Sequence, residues 1–295
     1  MTTKRSKRSR YTVAPSESTN RLESPFKGYE DAPLLPLIEA INLVSHLFDE
    51  IKDYINAALK NCQNPLDGLT EDESAAVHLY TMQLYTGHSL YQILNRSLRA
   101  ENREELIPWF PYLKLFFTAL EKLPSLRKNV RRGVRGINFS SKYTKGMKFH
   151  WWSVNSCTTD LQLLNSKKFL GTCGPRTLFA IECINGKSIS NHSHFPQEGE
   201  VILMPGTYFE VVSILNDAGG DLCIIDLKEI SLATPIPPPL PVIEISNTEL
   251  AIPNNQPKFF RKFMGSFKAI INPSNPINMN SSYSSMNEIF VNSLF

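Results

Sequence analysis

The hydrophobic period of the chain changes at Pro124, and that change fixes the order of structural classes along it. Upstream, apolar residues recur at helical steps. Leu37, Ile41, Val44, Phe48, Ile51 and Ile55 alternate spacings of four and three and so fall on one stripe of a helix. "LTEDE" then restarts the chain with a capping box, in which Thr70 accepts from the Glu73 amide and Glu73 reaches back. Val77, Tyr80 and Leu84 line the inner face of the next helix until Gly87 interrupts, and Leu90, Ile93, Leu94 and Leu98 resume the stripe. Leu106, Trp109, Phe110, Leu113, Phe116, Phe117 and Leu120 make a further helix with an aromatic face, read as core. Downstream, "KFHWWSV", "RTLFAIEC", "EVILMP", "YFEVVSIL" and "DLCIIDLKEI" are rich in Val, Ile and Phe and bounded by turn residues, the mark of strands. Helices first and strands afterwards predict an α+β domain, because parallel βαβ units would alternate the two.

With 295 residues, 42% of them hydrophobic, the chain can bury one sizeable domain with tails, or two small domains. A net charge of +3 is too small to imply a nucleic-acid surface, so no nucleic-acid partner is expected. No apolar run approaches the roughly 20 residues of a bilayer span. The opening "MTTKRSKRSR" leads into no apolar segment of the secretory type, and from both features a soluble, cytoplasmic chain is expected. Cys62, Cys157, Cys173, Cys183 and Cys223 are odd in number and show no metal-type spacing, which fits reduced thiols. His192 and His194 form the one histidine pair, in a polar loop without an accompanying carboxylate or thiol pattern, and no metal is expected there.

Three segments follow from composition. Residues 1–25, with Lys4, Arg5, Lys7, Arg8 and Arg10, have too little apolar surface to order themselves. Residues 26–232 form the domain. Residues 233–295 begin with the stiff "TPIPPPLP" at 234–241 and end in an Asn/Ser-rich tail. Within it, 258–271 places Phe260, Phe263, Met264, Phe267 and Ile270 on one face amid basic residues. Such a segment docks on an anionic membrane or a partner groove, or folds back on the domain; membrane contact is the weaker reading.

Three features of the strand-rich half carry chemistry. In "VRRGV", Arg131 and Arg132 precede Gly133, where backbone can approach a ligand and a guanidinium can clamp phosphate; an exposed basic turn is the plain alternative. "WWSVNSCTTD" reads as a strand that ends in Ser156, Cys157, Thr158 and Thr159; a turn whose hydroxyls satisfy their own backbone is the plain alternative. In "FPQEGEVILMP", Glu198 and Glu200 are one residue apart, and on a strand both carboxylates would share a face. Like charges held together persist chiefly where they do chemistry or bind cations; a solvated strand edge is the plain alternative.

The order and joint presence of these features resemble the R-S-E signature of the arginine-specific mono-ADP-ribosyltransferases. The resemblance runs through "EDESAAVHLYT", "VRRGV", "WWSVNSCT", "GKSISNHSHFPQEGEVILMPGTYFEVV" and "CIIDLKEI", spanning roughly 33–230. It implies two small, twisted, roughly perpendicular β-sheets around an NAD cleft, flanked by the helical half. It also implies transfer of ADP-ribose from NAD⁺ to arginine side chains of acceptor proteins, with nicotinamide released, NAD⁺ consumed as substrate and no cofactor bound. By the same resemblance Arg132 binds the phosphate beside the nicotinamide ribose and Gly133 offers its backbone to the carboxamide. Ser156 holds the catalytic Glu and the ribose, Phe169 covers the nicotinamide, Glu200 is the catalytic carboxylate and Glu198 orients the acceptor guanidinium. Residues 185–197 correspond to the substrate-recognition loop. Cys157 and Thr158 depart from the commoner Ser-Thr-Ser, which leaves open whether Cys157 alters rate or redox sensitivity. Two other activities share such a cleft: an NAD⁺ glycohydrolase, in which water replaces arginine, and a silent module that binds NAD or ADP-ribose.

Overall fold

The computed structural model describes residues 27–231, except Thr86, Glu101, 166–168 and Ala218, together with Glu17–Ser18. Those two residues form strand β1. The rest of the basic N-terminal segment, the Pro-rich spacer and the 258–271 segment lie outside the described residues.

The first half is helical: α1 (Leu37–Ala40), α2 (Ile51–Asn61), α3 (Glu71–Thr81), α4 (Leu90–Arg99) and α5 (Phe110–Lys122). The apolar stripe from Leu37 to Ile55 is buried as its period requires, Phe48 only in part. It does not lie on one continuous helix. Phe48 is extended and Glu50 is left-handed, with φ 53, so the chain breaks there and starts α2 afresh. α3 begins at the capping box anticipated above, with Glu73 N donating to Thr70 Oγ1 at 3.2 Å and Thr70 N to Glu73 Oε2 at 2.8 Å. A second box, Ser89 with Gln92, starts α4. Glu73 is buried and also receives Lys122 Nζ at 2.7 Å, so one carboxylate joins the start of α3 to the end of α5.

The second half contains β2 (Ser125–Arg135), β3 (Lys148–Trp151), β4 (Asn155–Thr158), β5 (Arg176–Ser188), β6 (Glu200–Leu203), β7 (Thr207–Asn216) and β8 (Leu222–Glu229), with the short helix α6 (Leu161–Asn165). β3, β7, β8, β5 and β2 lie side by side, antiparallel except for β5 with β8. β1 adds to β3 at His150 and Trp151. β4 and β6 form a second leaf, joined to the first where Arg131 pairs Thr158 and where Lys187 and Ser188 pair Ile202 and Val201. The stretch read as one strand, "WWSVNSCTTD", is thus two: Trp151 closes β3, and Asn155–Thr158 form a strand of their own, all four residues buried.

Two apolar cores result. One unites the helices and takes in Val154, Ile189 and Ile202 from the strand half. The other lies on the larger leaf around Trp151, Phe149, Phe179 and Phe209. The small leaf sits where they meet, with Cys157, Val201 and Leu203 in the second core and Ile202 in the first.

Thr70→Ala removes the cap hydroxyl from α3 and should lower unfolding free energy by about 1 kcal/mol. Urea titration checks this; an unchanged midpoint would show that Glu73 and Lys122 hold the helix start without it.

Candidate active site

Ser156 pairs opposite Ile202, Cys157 opposite Val201 and Thr158 opposite Glu200. Cross-strand partners share a face and alternate residues return to it, so Ser156, Thr158 and Glu200 lie on one face of the small leaf and Cys157 on the other. All four are buried. Cys157 belongs to the aromatic core, and burial pushes its thiol up to about 12 while Arg132 pulls the other way. A thiol so protonated is a weak nucleophile, so the position that departs from the commoner pattern is inert packing.

Arg132 comes from β2, is 3% exposed, and donates from Nη1 to the Ser156 carbonyl at 2.7 Å. Arg131 is only half-buried, and its Nη1 reaches no further than the Val130 carbonyl at 3.5 Å. Period-two alternation separates two arginines that are adjacent in sequence.

Glu198 and Glu200 are both enclosed, but not on one strand as the spacing suggested. Residues Pro196–Glu198 form a single 3-10 turn, Gly199 is left-handed with φ 54, and β6 starts at Glu200. Thr158 Oγ1 donates to the Glu198 carbonyl at 2.7 Å, which fixes the turn to β4. A side chain at Gly199 would meet Thr159 Oγ1 at 3.1 Å on a backbone that glycine alone adopts readily.

The helical half supplies groups that the sequence pattern did not single out. Tyr80 of α3 packs on Phe116 and Tyr91, while its hydroxyl reaches the Val154 carbonyl at 3.4 Å. Burial pushes this phenol up to about 12, helped by the nearby Glu200 carboxylate and opposed by Ser156, Asn95 and Arg132. The enclosed Ser156 hydroxyl lies beside it without closing a well-formed hydrogen bond. Asn95 of α4 clamps residue 154, accepting from Val154 N at 2.9 Å and donating to Val154 O at 3.2 Å. Arg99, one turn further on, is held below the usual guanidinium range by burial and then by repulsion from Arg132. The sequence signal for Tyr80 and Asn95 was a polar tip within an apolar stripe, which aromatic and amphipathic core residues also give.

Gly133 lies on β2 opposite Leu178, and a side chain there would meet Leu170 Cβ at 3.1 Å. Phe169 is buried with Leu164 in a small cluster to which Leu178 adds. Sheet pairing and this cluster bring Gly133, Phe169 and Leu178 into one neighbourhood on β2 and β5.

The loop before Glu198 is fastened at both ends. Residues 185–188, expected in the loop, continue β5, so the loop begins at Ile189; ahead of it on β5, Glu229 accepts from the amides of Ile184 and Asn185 and from Asn185 Nδ2. Further on it lies against α3: His192 contacts Ser74 Oγ at 2.9 Å and Asp67 Oδ2 at 3.2 Å, and Asn191 Nδ2 donates to the same Asp67 oxygen at 2.9 Å. His194 Nδ1 lies 3.1 Å from His78 Nε2, and His194 N donates to Thr81 Oγ1 at 2.8 Å. The two histidines once weighed as metal ligands are both engaged in this seam. Burial, then the charge of His194, pushes His78 down to about 4.

A family model described as NAD:arginine ADP-ribosyltransferase matches residues 40–233. The erythroblast NAD(P)⁺–arginine ADP-ribosyltransferase of Gallus gallus is 28% identical over 160 residues, 51% of this chain and 49% of that protein. The NAD(P)⁺–arginine ADP-ribosyltransferase 1 of the same species is 30% identical over 136 residues, 43% of this chain and 41% of its own length. The chain thus spans about half the length of the curated relatives it matches, or less. The crystal structure of the eukaryotic mono-ADP-ribosyltransferase ART2.2 superposes with a TM-score of 0.52 at 21% identity, covering 73% of this chain and 95% of that one. Among the described residues, no helix is long and apolar enough to cross a membrane.

Two measurements probe the electrostatics. A thiol-alkylating reagent at mildly alkaline pH should label exposed Cys173 in the native protein and leave Cys157 untouched until unfolding, as read by peptide mass spectrometry. For His78, the folded value of about 4 lies below the unfolded 6.5, so the unfolded state binds more protons between them. Stability should therefore fall as pH drops through that window and be indifferent to this group above it. His78→Gln should flatten the trend in thermal midpoint against pH; an unaltered slope would assign it to other groups.

Proposed function

Because the chain belongs to the NAD:arginine ADP-ribosyltransferase family, we propose that it transfers ADP-ribose from NAD⁺ to arginine side chains of acceptor proteins and releases nicotinamide. Residues 26–232 form the catalytic domain in this reading. NAD⁺ is a substrate consumed in each turnover. The observation that carries the proposal is the burial of Arg132, Ser156 and Glu200 in one neighbourhood, with Glu198 one turn away.

Departure of nicotinamide takes the electron pair of the bond to ribose C1′ and leaves an oxocarbenium ion, as in glycoside hydrolysis. A fixed carboxylate beside the ribose stabilises that cation more than the ground state, which is what lowers the barrier. Glu200 takes this role, because the β4–β6 ladder holds its backbone and excludes water from its side chain. Ser156, on the same face, positions Glu200 and the nicotinamide ribose. Arg132 binds the phosphate beside that ribose, and Arg99 adds a second positive charge close to it. Gly133 presents backbone to the carboxamide, and Phe169 covers the nicotinamide ring from the cluster next to it.

Arginine is a poor nucleophile because its guanidinium stays protonated. Glu198 pairs with the acceptor's guanidinium, brings one nitrogen toward C1′ and accepts the proton released as the new bond forms. The buried turn at 196–198 supports such a role, since it ends one residue before the strand that carries Glu200.

Glu200→Gln should abolish nicotinamide release and arginine labelling together, by about a hundredfold or more, the equivalent of roughly 3 kcal/mol of barrier. Mass spectrometry of a reaction with NAD⁺ and an arginine analogue reads both. Glu198→Gln should keep part of the NAD⁺ cleavage and lose the labelling. Undiminished turnover by Glu200→Gln would remove it from the chemistry.

A further inference from the structure

The seam between α3 and the loop before Glu198 has an arrangement that fold support alone does not require. We propose that His192 is a positioning residue for Glu198, so that its contacts with Ser74 and Asp67 set how ADP-ribose divides between arginine and water. The proposal rests on the transferase reading given above.

His192 is almost wholly buried although it is a loop residue. Its two ring nitrogens are both engaged by one stretch of chain, residues 67–74. The Asp67 carboxylate can only accept, so Nε2 carries the hydrogen, and Nδ1 is held against the Ser74 hydroxyl. The order Ser, His, Asp resembles a hydrolytic triad, but the Ser74 hydroxyl is enclosed in the body of α3, 2% exposed, so the relay holds position. Asp67 itself is left-handed, with φ 60, and carries Asn191 as well as His192. A strained backbone persists where its surroundings over-determine it.

From His192 a short path of hydrogen bonds leads to Glu198. The amides of His192 and Ser193 both bond the Ile189 carbonyl at 2.9 and 2.8 Å, closing a turn. Ser193 Oγ accepts from Phe195 N at 3.0 Å, and Phe195 O accepts from Glu198 N at 3.0 Å. Thr158 Oγ1 and this loop both hold the Glu198 backbone. Glu200 also touches this loop, its carbonyl accepting from Ile189 N at 3.1 Å, but its backbone is held in addition by the ladder with Thr158. Loosening the seam therefore displaces the acceptor-directing carboxylate more than the one that the β4–β6 ladder also holds. Water then takes the place of arginine at C1′: its oxygen forms the new bond, its proton is lost to solvent, and ADP-ribose and nicotinamide are the products.

The test uses the full chain with His192→Ala and Asp67→Gly. Glycine adopts the positive φ at 67 without strain, so the second variant deletes both accepted hydrogen bonds from an exposed site. Nicotinamide release without acceptor, labelling of an arginine analogue, and amide exchange over 189–198 are measured for each. The expected result is a fall of about tenfold or more in the labelling-to-hydrolysis ratio, with acceptor-free release largely kept and faster exchange in the loop. His192→Gln, which keeps a donor toward Asp67, should restore part of the ratio. Equal loss of both activities, or no change in the ratio, overturns the proposal. If the unaltered protein releases no nicotinamide, the transferase reading falls instead; the seam then stands or falls on amide exchange, and unchanged protection in both variants overturns it.

Discussion

The centre of the molecule depends on the pairing of β4 with β6, which buries the Glu200 carboxylate opposite a threonine. A buried carboxylate costs several kcal/mol unless charges and hydrogen-bond donors surround it. Polar groups from several elements converge on its neighbourhood. Arg132 enters from β2, the hydroxyls of Ser156 and Thr158 from β4, and the phenol of Tyr80 from α3. None of these strands could supply the environment alone, so the site exists only when both leaves and the helical half are assembled.

That assembly explains why two cores meet at a short, wholly buried strand pair. Alternation sends Cys157 and Val201 into the aromatic core of the large leaf, and Ile202 toward the helices. The polar residues between them have nowhere to go but the junction. α3 contributes most on the helical side: its first turn is capped and tied to α5, its middle holds His192, and its end carries Tyr80 toward Glu200 and Thr81 toward His194. One helix thus supports both the surroundings of Glu200 and the loop that leads to Glu198.

Much of this was legible residue by residue. The change of period at Pro124, the capping box at Thr70 and the positions of most strands follow from local pattern, because side-chain period and turn chemistry are short-range. Long-range effects were not legible. The stripe from Leu37 to Ile55 is buried as its period demands, yet the backbone breaks at Glu50, because the same face can be presented by two short segments as well as by one helix. "WWSVNSCTTD" holds two strands because Trp151 and Asn155 find different partners, β7 and β6, which no local signal records. Glu198 reaches the interior by a 3-10 turn and a left-handed glycine where the spacing suggested a strand.

By itself the sequence determined which side chains were available: a guanidinium before a glycine, a hydroxyl run after two tryptophans, two carboxylates one residue apart, and helices ahead of strands. These are properties of composition, order and period, and they survive in the unfolded chain. Only the tertiary structure decided which arginine turns inward, that Cys157 packs as an inert thiol, that Tyr80 and Asn95 belong to the site, and that His192 fastens the loop to α3. Each of those depends on which surfaces bury one another, and burial decides whether a polar group packs, titrates or reacts.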